Sequence, residues 1–189
     1  MTDKRRLREQ LLERRTALDE QAVVAAETAL ARRASAVVRD HGARVVAAYL
    51  SVGREPPTWA LLDALLADGV EVVVPRALPR RRLSWVPYAG RDALVLGRFQ
   101  IPEPTGGADD TALARADLVV VPALAVDATG FRLGRGGGYY DTALESCDRP
   151  VRVALVYDHE VVADVHPEAH DQRVDVAVTP QRTIALPPR

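Results

Sequence analysis

"DLVVVPAL" (117–124) is a short run of branched apolar residues with an acid at its start and a proline near its end. A run of this length bounded by turn signals reads as a strand buried on both faces, as in a parallel sheet. Just behind it, "GFRLGRGGGYYD" (130–141) carries four glycines within positions 134–138, two arginines and a closing Tyr-Tyr-Asp. A helix is expected from about Tyr139 to Cys147. Further downstream, "VRVALVY" (151–157) and "VDVAVT" (174–179) repeat the Val-rich strand pattern. Upstream, "ARVVAAYL" (43–50) and "VEVVVP" (70–75) flank a helical "TWALLDALLADG" (58–69) that begins at Thr58. Val-rich strands separated by helices imply an α/β fold, with a mainly parallel sheet covered on both faces.

The ends and the middle depart from that alternation. The first 40 residues read as two helices, one capped by Thr2 or Asp3 with Leu7, Leu11 and Leu12 on one face. The second is capped by Asp19 and ends before Gly42. Between residues 76 and 116, "RRLSWVPY" and "ALVLGRF" read as an added strand pair or edge excursion, followed by the loop "IPEPTGGADD". There is no internal repeat and no long linker, so residues 1–189 are expected to form one domain with helices 1–40 packed on it.

Of the 189 residues, 48% are hydrophobic and 27% charged, the composition of a globular chain rather than a disordered one. A formal net charge of −1 gives no overall field for nucleic acid or an anionic membrane, and neither is expected as a partner. The single cysteine, Cys147, excludes an internal disulfide framework, and a helix-packing role suits it better than a nucleophilic one. No apolar run approaches the ~18 residues of a membrane span. The basic start "MTDKRRLREQLLERR" lacks the apolar segment of a secretory signal. A cytoplasmic protein is expected.

In α/β sheets ligands settle beyond the carboxyl ends of the strands, where the glycine loop falls. Gly134, Gly136, Gly137 and Gly138 allow successive backbone N–H groups to face one anion, and a helix starting at Tyr139 adds the positive end of its dipole. Arg132 and Arg135 supply donors suited to phosphate oxygens, and Asp141 is placed to hold a divalent cation bridging them. The loop is neither a P-loop nor a dinucleotide fingerprint, since the sixth position counted from Gly134 is Tyr139. A tight glycine turn with solvated arginines is the plainer alternative. Lys4 and Arg8 share a helical face, although a run of solvated cations would look the same. "SVGREPPT" (51–58) brings Glu55 to another carboxyl-end loop, or else forms a simple proline-rich surface turn. In "HPEAHDQRVD" (166–175), Asp171 is a better magnesium ligand than His166 or His170, because magnesium prefers oxygen. Trp85 and Tyr88 read as core or edge-strand packing, and Arg80 to Arg82 as a solvated run.

Taken in order, "KRRLR" (4–8), "YLSVGREPPT" (49–58), "GRFQIPEP" (97–104), "VVVPALAVDATGFRLGRGGGYYD" (119–141) and "HDQRVDVAVTP" (170–180) resemble the 5-formyltetrahydrofolate cyclo-ligase family over nearly the whole chain. That resemblance implies a three-layer α/β/α fold. It implies that Lys4 and Arg8 contact ATP, together with Arg132, Gly134, Arg135, Gly136, Gly137, Gly138, Tyr139 and Tyr140. Leu50 and Glu55 would line the folate site, bordered by Arg135, Gly136, Gly137, Gly138 and Tyr139, and Asp141 and Asp171 would hold Mg2+. Two positions depart from the family pattern: Gln100 stands for a usual glycine, and Pro56-Pro57 for a more extended pair after Glu55. The implied reaction uses ATP and Mg2+ to turn 5-formyltetrahydrofolate into 5,10-methenyltetrahydrofolate, with Arg135 stabilising the transferring phosphoryl group and a monomer expected. The rival readings are a phosphosugar or CoA-type enzyme on a similar sheet, and a non-catalytic folate- or nucleotide-binding protein.

Overall fold

The computed structural model describes residues 3–97, 101–109, 111–145 and 147–189; Thr2, considered above as a cap, and Gln100 lie outside them. The chain runs α1 (Asp3–Thr16), α2 (Glu20–Asp40), β1 (Val45–Ala48), α3 (Trp59–Ala67), β2 (Glu71–Leu78), β3 (Arg82–Pro87), β4 (Leu94–Leu96) and β5 (Pro102–Pro104). It continues with α4 (Ala112–Arg115), β6 (Leu118–Pro122), β7 (Ala125–Asp127), β8 (Arg132–Leu133), α5 (Tyr139–Glu145), β9 (Val151–Leu155), β10 (Val161–Val162), β11 (Val176–Val178) and β12 (Thr183–Ala185).

Seven strands form the central sheet in the order β12-β11-β9-β6-β1-β2-β3. Every pairing from β11 through to β2 is parallel, while β12 and β3 close the two edges antiparallel. The Val-rich runs occupy this interior because strands covered on both faces have no polar side to present. Alternation within each strand then divides the core. Val46, Val72, Val74, Val120 and Val153 pack beneath α2 and α3, where Leu30, Ala34, Leu61 and Leu65 meet them. Ala47, Val73, Val119, Val121 and Ala154 face the other way, against Ala112 and Leu113 of α4 and Leu144 of α5. The result is the expected three layers.

The helix signals act locally as well. The Asp19 carboxylate accepts the Ala22 N–H at 2.7 Å, capping α2. Gly42, at φ 60°, lets the chain leave α2 with its N–H donated to the Arg39 carbonyl. Thr58 precedes α3 as expected but makes no side-chain cap bond. Its hydroxyl donates instead to the Tyr49 carbonyl at 2.9 Å and accepts the Ser51 N–H at 3.1 Å.

Among the described residues, "RRLSWVPY" and "ALVLGRF" do not pair with each other. β3 returns along β2, with Val74 opposite Val86 and Leu78 opposite Arg82, and so extends the main sheet. β4 pairs with β5, inside the stretch read as a loop. A small sheet, β10-β7-β8, lies apart from the main one. α1 packs onto it through Leu11, which is buried with Leu124, Leu133 and Val165.

Candidate active site

The chain order fixes where a ligand can enter. From β1 it moves one way to β2 and β3, then returns to β6 on β1's other side and proceeds to β9 and β11. The loops leaving β1 and β6 therefore diverge, opening a crevice at their carboxyl ends. A cavity of about 860 Å³ occupies that crevice. Tyr49 and Leu50 line it from the end of β1, Pro122, Ala123 and Leu124 from the end of β6, and the remaining walls come from further elements.

The β1 loop is tied by polar bonds that the sequence chooses. The Tyr49 hydroxyl donates to the Pro56 carbonyl at 2.6 Å, and Thr58 and Ser51 exchange backbone-to-hydroxyl bonds. Glu55 is drawn inward, its Oε2 accepting the Val52 N–H at 3.0 Å. Its Oε1 lies 3.0 Å from Nε of Arg135, whose side chain is 54% exposed. The Pro56-Pro57 pair thus leaves Glu55 at the cavity. Burial, and secondly the Glu55 charge, push the Tyr49 hydroxyl well above its ordinary pKa.

Helix α1 supplies one wall. Lys4, Arg8, Leu11 and Arg15 follow a spacing of four, three and four residues, one continuous face. At one end of this face Arg15 donates Nε to Glu160 Oε1 at 2.6 Å and Nη2 to Oε2 at 2.9 Å. Arg8 donates Nε to the Gly134 carbonyl at 2.9 Å. Lys4 pairs with Asp171 at 2.5 Å. Partial burial raises the Asp171 pKa, but the bonds from Lys4 and the Glu168 N–H outweigh it, leaving the carboxyl below its usual value.

The glycine loop runs from β8 into α5. Gly136 and Gly138 sit at φ 94° and 70°, where a side chain would strain the backbone. A methyl at Gly136 would also lie 3.6 Å from the Arg8 guanidinium carbon. Gly134 and Gly137 line the same cavity without needing a positive φ. α5 starts at Tyr139 as expected but spans seven residues, ending before Cys147, which is buried with its thiol on the Leu113 carbonyl. Tyr139 and Tyr140 both reach the cavity, although Tyr140 also packs edge-on against Trp85 at 6.2 Å between ring centres.

The two expected metal carboxylates line the same cavity. Asp141 Oδ1 accepts Arg132 Nη2 at 2.9 Å and the Gln172 N–H at 3.3 Å, which sets it beside the residue that follows Asp171. Arg132 is itself buried, its Nη1 held by the Gln172 carbonyl at 2.7 Å. Among the described residues no group of three or more His, Cys, Asp or Glu could hold a metal ion. Two carboxylates leaving the remaining positions to phosphate oxygens and water are what magnesium accepts, so the donor set fits that ion and not zinc. His166 is exposed and pairs with Asp164 at 3.3 Å. His170 lines the cavity beside Asp171.

Every residue expected at the site lines this one cavity. Two features around it were not expected. The Arg15–Glu160 pair is signalled only by Arg15's place on the Lys4–Arg8–Leu11 face; nothing about Glu160 in "YDHEVV" (157–162) marks it. Arg81 belongs to the run read as solvated, yet it lines the cavity, because β3 turns back along β2 rather than away from it.

Fold and cleft together define an α/β protein with a basic, glycine-walled cavity at its topological switch point. The sequence matches the 5-formyltetrahydrofolate cyclo-ligase family over residues 1–180. A 5-formyltetrahydrofolate cyclo-ligase of Mycolicibacterium smegmatis is 39% identical over 151 residues, covering 75% of this chain and 76% of that protein. One from Escherichia coli is 32% identical over 145 residues, covering 74% and 80%. The solution structure of Aquifex aeolicus 5,10-methenyltetrahydrofolate synthetase superposes with a TM-score of 0.85 at 26% identity, covering 98% of this chain and 93% of that one. The chain belongs to the 5-formyltetrahydrofolate cyclo-ligase family and is by that membership an enzyme. Family and relatives indicate 5,10-methenyltetrahydrofolate synthetase activity. Among the described residues no helix is long and apolar enough to cross a membrane.

Proposed function

We propose that this chain converts 5-formyltetrahydrofolate and ATP into 5,10-methenyltetrahydrofolate, ADP and phosphate in a reaction that requires Mg2+. The observation that carries the reading is the meeting of Arg135, Glu55, the glycine loop, Asp141 and Asp171 around one switch-point cavity. The formyl oxygen on N5 takes the γ-phosphoryl group of ATP and ADP leaves. N10 then attacks the activated carbon, loses its proton, and the ring closes as phosphate departs with the former formyl oxygen. The nucleophiles belong to the substrates, so the protein's work is positioning and charge stabilisation.

Lys4, Arg8 and Arg132 bind the nucleotide together with the amides of the glycine loop and Tyr139 and Tyr140. Leu50 and Glu55 hold the folate, on which Arg135, Gly136, Gly137, Gly138 and Tyr139 also border. Arg135 exchanges its Glu55 partner for the transferring phosphoryl oxygens and stabilises their charge. Asp141 and Asp171 hold Mg2+, which when bound neutralises phosphate oxygens as a Lewis acid.

The test is one cuvette holding the protein, 5-formyltetrahydrofolate, Mg2+ and ATP, with methenyl absorbance followed over time. Absorbance that rises only with ATP supports the reading. Folate binding without product would make this a binding protein, and turnover independent of ATP would favour the phosphosugar or CoA-type chemistry.

A further inference from the structure

The tip of the β2–β3 hairpin is built against the preference of its residues. Leu78 pairs with Arg82, leaving Pro79, Arg80 and Arg81 in the turn. Arg80 and Arg81 both adopt left-handed backbone, at φ 61° and 59°. Asn or Gly suits such positions better, and a long side chain held there carries a steric cost. Of the pair, Arg81 lines the large cavity. Its Cδ and Nη1 lie 3.5 Å from the position a methyl would take on Gly138.

Charge accounting separates Arg81 from most cations around it. Lys4 is matched by Asp171, Arg15 by Glu160, Arg132 by Asp141 and Arg135 by Glu55. Among the described residues neither Arg81 nor Arg8 has a carboxylate within salt-bridge distance. These two guanidiniums stand against the two left-handed glycines of the loop, Arg8 at Gly136 and Arg81 at Gly138. The two left-handed glycines and two unneutralised guanidiniums therefore line one locus of the cavity, suited to a polyanion that approaches the backbone closely.

We infer that Arg81 is a second guanidinium of the phosphate site, gripping the phosphates of ATP from the hairpin as Arg8 does from α1. This rests on the reading of the cavity as an ATP site. The folate glutamate is the other anion available, but its carboxylates need no side-chain-free backbone, whereas phosphates at a glycine nest do.

Arg81→Gly separates the guanidinium from the turn, because glycine accepts φ 59° without strain. Mg-ATP binding to the full chain is measured by calorimetry, with KM for each substrate measured at saturation of the other. Loss of a charge-assisted bond of this kind is expected to raise Kd and KM for ATP about ten- to a hundredfold, with KM for 5-formyltetrahydrofolate within about twofold and no fall in melting temperature. Arg80→Gly, which changes the same turn outside the cavity, is expected to leave both KM values unchanged. Unchanged ATP affinity in Arg81→Gly overturns the inference. A rise in the folate KM alone overturns it in favour of the glutamate carboxylates, and equal ATP effects in the two variants overturn it by assigning them to the turn itself. Failure of the wild-type chain to bind ATP overturns the active-site reading, and the role of Arg81 with it.

Discussion

Glu160→Ala tests how the active-site helix is held. Glu160 and Arg15 have side-chain exposures of 0% and 4%, and the shortest distance between them is 2.6 Å. The carboxylate also accepts the Tyr157 N–H at 2.8 Å, while Arg15 Nη2 donates to the Ala123 carbonyl at 2.5 Å. Deleting the carboxylate leaves a buried guanidinium without counter-charge and a backbone donor without acceptor. Breaking a buried pair in this way costs about 3–5 kcal/mol. In a chain of this size each kcal/mol moves Tm by roughly 2–4 °C, so a fall of about 6–20 °C is expected in circular-dichroism melts. Because Arg15 shares its face of α1 with Lys4 and Arg8, KM for ATP should rise in the folded variant. The double variant Arg15→Met/Glu160→Leu should recover most of the lost Tm, since it buries no unpaired charge. A Glu160→Ala protein melting within about 2 °C of wild type would refute the reasoning, because the pair would then contribute under about 1 kcal/mol.

Arg135→Ala should lower kcat by about a hundredfold or more, the cost of losing one preorganised donor to a developing charge; near wild-type turnover removes Arg135 from the chemistry. Asp141→Asn should shift the Mg2+ titration of activity to higher concentration, and an unmoved titration would withdraw Asp141 as a ligand. Asp171 contributes to stability above the ordinary carboxylate pKa, because its folded value is lowered, and that contribution is lost as pH falls through the folded value. Carboxyl NMR should accordingly show Asp171 titrating below its usual 3.8 and rising toward it in Lys4→Met. No rise would mean that the Lys4 bond does not hold the carboxylate down.

The sheet interior was readable because β1, β2, β6, β9 and β11 are covered on both faces and therefore had to be largely apolar, with the buried Arg152 of β9 an exception. The edges were harder. β2 reads as ending at Pro75, yet it continues to Leu78. Its pairing with β1 stops at Val73, so Pro75 withholds a donor only where no second neighbour needs it. The partner of "RRLSWVPY" was hidden because its turn, with two left-handed arginines, carries no glycine or asparagine to announce a hairpin. At the site, the motifs could be recognised only as an ordered series, and the residues expected from them line one cavity. Which charges meet could not be read. Lys4 and Asp171 stand 167 positions apart, and neither residue's local sequence names the other. Arg135 with Glu55 depends in the same way on the switch-point crevice that brings distant loops together, whereas Arg132 meets Asp141 across the glycine loop itself.

In the proposed reaction, those pairings bear on how the enzyme would treat its phosphate product. A free phosphate ion entering the cavity can take Lys4, Arg132 or Arg135 only by stranding Asp171, Asp141 or Glu55 in a partly enclosed space. A nucleotide arriving with its metal would, in the proposed reaction, meet both halves of the exchanges at Lys4–Asp171 and Arg132–Asp141, anion to cation and cation to carboxylate. Inorganic phosphate meets one half. Re-forming these resting pairs would, in that reaction, help phosphate leave Lys4, Arg132 and Arg135, so that Arg8 and Arg81 are cations a free phosphate can still reach.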